Sequence, residues 1–239
     1  SISTGAKRVR KQASVSYSSC MEIENGWLKK QPNVEAILKN GLPTKHHYNL
    51  YSDKPLGVCW HYSNPVWSSL STSKEVCELL LRDKANASWH GMLSKEGYFY
   101  QCVSFNRGSW HVGKPGVIKG KSVDNVNRYL IGIELENEGR LKKIDGEFYS
   151  WPWKKDPLLK SKGVLIAKGE FKNCYFAPFT ESQVSVAKDL IIALKTEYNF
   201  TKEDFLYDHH QFDPARKDDI GPIWMDQILP QLLKEVYDV

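Results

Sequence analysis

The sequence predicts an α/β protein with a mixed central β-sheet and flanking helices. Three observations predict it. Apolar runs with the period of a strand occur at residues 57–62 and 129–136, and apolar stripes with the period of a helix open on capping boxes at Thr72 and Thr180. The two kinds of segment also alternate along the chain. A length of 239 residues suits one such domain with an extension, and no internal repeat is visible.

Residues 1–14 are basic and polar without apolar periodicity, which reads as a mobile arm. Residues 15–50 hold short apolar groups, Trp27-Leu28 and then Val34, Ala36, Ile37 and Leu38, and close on Asn40-Gly41-Leu42-Pro43. They read as a lead-in packed on the main domain, so residues 1–50 are assigned to an arm and N-terminal extension and residues 51–239 to the main domain. Gly57-Val58-Cys59-Trp60-His61-Tyr62 alternates as a strand, with Cys59 and His61 on one face and Val58, Trp60 and Tyr62 on the other. Thr72-Ser73-Lys74-Glu75 is a capping box, and Val76, Cys77, Leu80 and Leu81 follow at helical spacing. Strands around 87–93 and 98–103 flank Ser94-Lys95-Glu96-Gly97, which reads as a hairpin turn.

The strand at 129–136 sends Ile131, Ile133 and Leu135 one way and Gly132, Glu134 and Glu136 the other. Residues 137–179 read as a long excursion rich in Lys, Gly and aromatics, among them Trp151 and Trp153, each equally suited to packing or to stacking on a sugar ring. Thr180-Glu181-Ser182-Gln183 opens a helix whose Val184, Ala187, Leu190, Ile191, Leu194 and Tyr198 form one stripe. A last helix starts near Pro222 and carries Ile228, Leu229 and Leu232, with Pro230 kinking or ending its first part.

Composition bounds the function. Hydrophobic residues at 41% and charged residues at 26% fit a soluble globular chain, and no apolar run approaches the ~18 residues of a membrane span. The start Ser1-Ile2-Ser3-Thr4 lacks the apolar core of a signal peptide, as a processed precursor also would, which leaves the export route open. The net charge of +5, partly in Lys7, Arg8, Arg10 and Lys11, favours polyanions such as nucleic acid or an anionic cell wall. No stripe of interleaved cations and aromatics and no nucleic-acid motif is present, so a nucleic-acid partner is not expected. The five cysteines are odd in number, widely spaced and without a CxxC, and Cys59, Cys77 and Cys102 read as buried free thiols, in keeping with a reducing compartment.

Histidines mark three places: His61 at a strand end, His111 in Trp110-His111-Val112-Gly113, and His209-His210 in a segment that also carries Asp208, Asp213, Asp218 and Asp219. A hydrolytic zinc site takes three ligands from His and Asp or Glu and keeps one position for water, and a strand histidine with a His and an Asp from a loop before a helix supplies that set. Singly, a strand-end histidine is more often a core residue and such a loop simply solvated. A carboxylate projecting from the strand face at Glu134 or Glu136 adds weight to the combination.

The residues from Tyr175 to Trp224 resemble the C-terminal half of the type 2 N-acetylmuramoyl-L-alanine amidases, the family of T7-type phage lysozymes, bacterial recycling amidases and peptidoglycan recognition proteins. Phe179, Thr180, Gln183, His209, Pro214, Arg216, Lys217, Asp219, Gly221 and Pro222 stand in the order of its signature. Upstream, Trp60-His61-Tyr62, Ser88-Trp89-His90, Trp110-His111-Val112-Gly113 and Ile131-Gly132-Ile133-Glu134 resemble its first-ligand strand, hairpin, substrate-cleft loop and carboxylate strand, so the likeness spans about residues 55 to 236. It implies the fold of T7 lysozyme and the recognition proteins, one zinc ion held by His61, His209 and Asp219, and hydrolysis of the bond between N-acetylmuramic acid and L-alanine in peptidoglycan or muropeptides. The family's spacing favours His209 over His210 and Asp219 over Asp218. Glu134 is then the base, with Glu136 its rival, Lys217 stabilises the oxyanion, Arg216 braces the loop, and His90, Trp110 and His111 line the cleft. A departure is Ile220, where the family often has proline. The alternative on the same fold is a binding module without catalysis. Phage lysin, recycling enzyme and secreted autolysin all fit, and the basic arm favours a wall-directed lysin.

Overall fold

The computed structural model describes residues 20–39, 41–64, 72–79, 81, 86–151 and 163–238. The arm at 1–14, Leu80 and Trp153 lie outside the described residues. The chain enters through a small hairpin, β1 (Ile23–Glu24) and β2 (Trp27–Leu28), turned by Asn25 and Gly26 at φ 53° and 80°, the positive pair that a type I′ turn requires. Next come β3 (Val34–Ala36), β4 (His47–Asn49) and β5 (Gly57–Tyr62), the last with the predicted bounds. α1 (Ser73–Leu79) opens on the predicted capping box, in which the Thr72 N–H donates to Glu75 (2.9 Å) and the Glu75 N–H to Thr72 Oγ1 (3.2 Å).

The next hairpin, β6 (Gly91–Leu93) and β7 (Phe99–Gln101), is shorter than its apolar pattern suggests. The amides before and after it have other partners: Ser88 donates to the Trp110 carbonyl (2.9 Å), His90 to that of Gly132 (3.0 Å), and Cys102 and Val103 both to that of His90 (2.8 and 3.3 Å). β8 (Arg107–Ser109) pairs with β4, and β9 (Gly116–Ile118) with β10 (Lys121–Val123). β11 is Leu130–Leu135.

The excursion at 137–179 contains strands that the sequence reading does not name. It holds β12 (Arg140–Ile144), β13 (Glu147–Ser150), β14 (Val164–Leu165) and β15 (Tyr175–Phe176), an antiparallel sheet of order β13-β12-β15-β14. Its leading hairpin turns on Asp145-Gly146 at φ 50° and 81°. α2 (Glu181–Tyr198) carries the second capping box, and the side-chain amide of its Gln183 also donates to the carbonyls of Glu136 (2.7 Å) and Leu93 (3.3 Å), fastening the helix start to two strand ends. After β16 (Tyr207–Asp208) and α3 (His209–Phe212), a π-helical segment (Ile223–Ile228) runs into α4 (Leu229–Tyr237). Pro230 sits in the first turn of α4, where its missing N–H costs nothing, so the predicted break is a change of winding.

The central sheet has the order β16-β5-β11-β6-β7-β3. β16, β5, β11 and β6 run parallel, β7 is antiparallel to β6, and β3 is parallel to β7, so residues 34–36 of the N-terminal extension supply an edge strand. One face carries Val58, Trp60, Leu93, Ile131, Ile133 and Leu135 into the main core, where Ala187, Leu190, Ile191 and Leu194 of α2 meet Trp224, Leu229, Leu232 and Leu233. Buried on both faces, β5 and β11 read as nearly continuous apolar runs, as strands of a parallel sheet do. The opposite face presents Cys59, His61, Gly132 and Glu134. Cys59, Cys77 and Cys102 are buried free thiols, as the spacing suggested.

Candidate metal centre

Register assembles the site. His61 and Glu134 are paired positions on adjacent parallel strands, so they stand side by side on one face at the carboxyl ends of β5 and β11. β16 brings Asp208 level with Trp60, and the next residue, His209, begins α3 beside His61. Asp208 caps that helix by accepting from the Gln211 N–H (3.0 Å). Asp219 comes from the following loop, held by the His210 N–H on its carbonyl (2.8 Å) and by Ile220, which is buried in the main core.

The donor atoms converge. His61 Nδ1, His209 Nδ1 and Asp219 Oδ2 form a triangle with sides of 3.0, 3.1 and 3.1 Å, and all three residues are buried. Ligands about 2.0–2.1 Å from a tetrahedral zinc lie roughly 3.3 Å apart, close to these sides. The His61 tautomer agrees with that use. The Leu130 carbonyl can only accept, so His111 donates to it through Nε2 (3.0 Å), which leaves His111 Nδ1 to accept from His61 Nε2 (3.0 Å). His61 Nδ1 is thereby a bare lone pair aimed into the triangle.

Burial pushes the His61 pKa down to about 4, against the opposing pull of the adjacent Asp219 carboxylate, so the ring is neutral as a ligand must be. Burial alone would raise Asp219, but its close contacts with the His209 and His61 imidazoles outweigh it and hold the carboxyl well below its usual range. A second group, Cys59, His61 and His111, also lies within metal-binding reach. It fits a metal less well, because burial drives the Cys59 thiol well above its ordinary pKa and the two rings are hydrogen-bonded to each other.

The neighbours of the candidate ligands are engaged elsewhere. His210 meets the Lys217 carbonyl (2.6 Å) and Glu170 (2.9 Å), and Asp218 pairs with Arg140 (3.1 Å). Glu136 accepts from the Lys95 N–H (2.9 Å) and Ser73 (3.0 Å), whereas Glu134 stands level with His61 and lies within the electrostatic reach of Asp219 and the Lys217 ammonium. Burial, then Asp219, raise the Glu134 pKa well above its ordinary value, and Lys217 opposes them. Lys217 is half-buried and makes no ion pair among the described residues, while Arg216 clamps Asp213 at 2.7 and 2.8 Å.

Two residues expected at the cleft lie in the interior. His90 is fully buried, its Nδ1 accepting from the Gly132 N–H (2.9 Å) and its Nε2 donating to the Arg107 carbonyl (2.6 Å), so neither ring nitrogen is free for a substrate. His111 is also interior and is hydrogen-bonded to His61. Trp110 is 39% exposed, with its ring edge-on to Tyr48 at 4.8 Å, and Trp151 is 52% exposed. Burial lowers the His90 pKa to about 4 against an ordinary 6.5. The unfolded chain therefore takes up a proton before the folded one, and stability is full above 6.5 and declines toward 4. Melts over that window should show a falling Tm; a flat profile would contradict the interior placement.

The positioning role of His111 had one signal in the sequence, the glycine within a strand. A Cβ at Gly132 would meet the His111 ring at 2.4 Å. Gly132→Ala should displace that ring, cost about 1–3 kcal/mol as overpacking does, and weaken metal retention; unchanged stability and metal content would count against the arrangement.

Two buried imidazoles and a carboxylate, a neighbouring carboxylate of raised pKa and an ammonium without an ion pair among the described residues are gathered in one place, a donor set that could hold a metal ion. The comparison with known families agrees: the profile described as N-acetylmuramoyl-L-alanine amidase matches residues 51–222, and the chain belongs to that family. It is 31% identical over 136 residues to the N-acetylmuramoyl-L-alanine amidase AmiD of Escherichia coli (strain K12), a match spanning 55% of this chain but 37% of AmiD. Among solved structures, AmpD superposes with a TM-score of 0.59 at 19% identity, covering 89% of this chain and 99% of AmpD. The catalytic domain of XlyA gives 0.52 at 17% identity, covering 84% and 99%. These likenesses establish the shared amidase fold. No helix among the described residues is long and apolar enough to cross a membrane.

Proposed function

We propose that this chain is a zinc-dependent amidase that hydrolyses the bond between N-acetylmuramic acid and L-alanine in peptidoglycan. His61, His209 and Asp219 hold one zinc ion, Glu134 acts as base and then acid, and Lys217 steadies the oxyanion. The donor triangle beside Glu134, in a chain of this family, carries the reading. Zinc bound there supplies Lewis acidity toward the scissile carbonyl and lowers the pKa of a water molecule.

The chain's own groups do the rest. Glu134 takes the proton of the attacking water and returns it to the leaving alanine nitrogen. The Lys217 ammonium places positive charge where the carbonyl oxygen becomes negative. His111 keeps His61 in the tautomer that binds metal. The cations at Lys7, Arg8, Arg10 and Lys11 suit a lysin directed at an anionic wall.

The test is release of peptides with a free L-alanine amino terminus from muropeptides and from intact sacculi. Chelation should abolish it and added zinc restore it. A zinc-loaded preparation that binds the saccharide but leaves the amide intact would overturn the proposal in favour of a silent binding module, and a preference for soluble muropeptides over sacculi would argue against a lysin.

A further inference from the structure

A cavity of about 370 Å3 lies between the N-terminal segment and the loop joining β7 to β8, lined by Trp27, Lys39, Leu42, His47, Val103 and Arg107 among others. Its volume is that of a small-molecule pocket. None of its lining residues belongs to the candidate metal centre.

Its electrostatics are one-sided. Arg107 donates through Nε and Nη2 to His47 Nδ1 (3.2 and 2.9 Å) and through Nη1 to the Asn49 side-chain oxygen (2.6 Å). All these acceptors are neutral, and a guanidinium has more N–H donors than these three bonds engage. Because His47 accepts through Nδ1, its proton is on Nε2, which adds another donor; burial and then the Arg107 charge lower its pKa and keep it uncharged. Lys39 stands over the Trp27 ring at 5.4 Å, an ammonium held at an indole wall. No aspartate or glutamate lines the cavity, and neither cation has an ion-pair partner among the described residues.

A half-buried guanidinium favours a charged acceptor, and none is supplied to Arg107 among the described residues. Trp27 and Leu42 give the recess apolar walls, so a bare inorganic anion would leave them wet. We propose that this cavity binds a small ligand in which a carboxylate is joined to an apolar body: the carboxylate lies against Arg107 and Lys39, and the body against Trp27 and Leu42.

Calorimetric titration of the full chain with N-acetylleucine, with its amide and with inorganic phosphate tests this. The acid should bind saturably, one per chain, with the amide and phosphate each at least tenfold weaker. Arg107→Gln should weaken acid binding at least tenfold and Lys39→Gln at least threefold, and since Lys39 is exposed the second variant stays folded even if the first does not. These readouts need no amidase turnover, so the cavity and the metal centre can fail separately. No binding of the acid, equal binding of acid and amide, phosphate binding as tightly as the acid, or an unaltered affinity in Lys39→Gln would each overturn the assignment.

Discussion

His209→Ala should take the zinc content from about one ion per chain to near zero and reduce amide hydrolysis by roughly a thousandfold or more, the several kcal/mol that a Lewis-acid metal contributes to such a transition state. The expectation rests on the triangle. Removing His209 leaves His61 Nδ1 and Asp219 Oδ2, 3.0 Å apart, as the remaining pair, and two protein ligands do not hold a hydrolytic zinc. The variant also strips Asp219 of the hydrogen bond that does most to keep it ionised, so some destabilisation accompanies the loss. His210→Ala is the matched control, one residue along the same helix. Its ring is engaged by the Lys217 carbonyl and Glu170, so zinc should be retained and activity should change far less. Metal analysis with the rate of alanine amino-terminus release decides the matter. Full zinc in His209→Ala, or equal losses in both variants, would remove this ligand set from consideration.

How far the sequence could be read follows from which forces are local. Period-two alternation is a local signal, and it located β5 to the residue and β11 to within one residue at each end. Capping boxes are local too, and both predicted ones are present around α1 and α2. The four strands between residues 137 and 179 were missed because they are short and mostly half-exposed, and so lack an apolar rhythm. The Asp145-Gly146 dipeptide was the available sign of a hairpin. The hairpin strands β6 and β7 came out short because their terminal amides are taken by Trp110, Gly132 and His90, contacts that no local pattern reveals.

The same division runs through the site. Side-chain types and family spacing singled out His61, His209 and Asp219, and strand parity put Glu134 on the face of Gly132. Neither could say that Glu136, of the same parity, turns instead to Lys95 and Ser73. Nor could they foresee that His90 and His111 are interior, since that depends on β11 crossing beneath both rings. A histidine in a sequence advertises polarity; only packing decides whether its nitrogens meet solvent, a metal or another histidine.

Glu134→Gln should separate binding from chemistry. Glutamine keeps the size and hydrogen-bonding reach of the side chain but cannot take up a proton, so general acid–base assistance worth about a hundredfold to ten-thousandfold is lost from kcat. Zinc content should remain near one per chain, because Glu134 makes no hydrogen bond to the donor triangle and its carboxylate in fact repels that of Asp219. Stability should hold or rise, since burial already disfavours the ionised form that the substitution removes. KM for a muropeptide should move little, as the group acts on the water and the leaving nitrogen. Glu136→Gln provides the contrast: it weakens the bonds to Ser73 and the Lys95 amide, so it should lower Tm with a modest change in kcat. If instead Glu136→Gln stops hydrolysis and Glu134→Gln leaves it intact, the proton passes through the other carboxylate and the assignment by strand register is wrong.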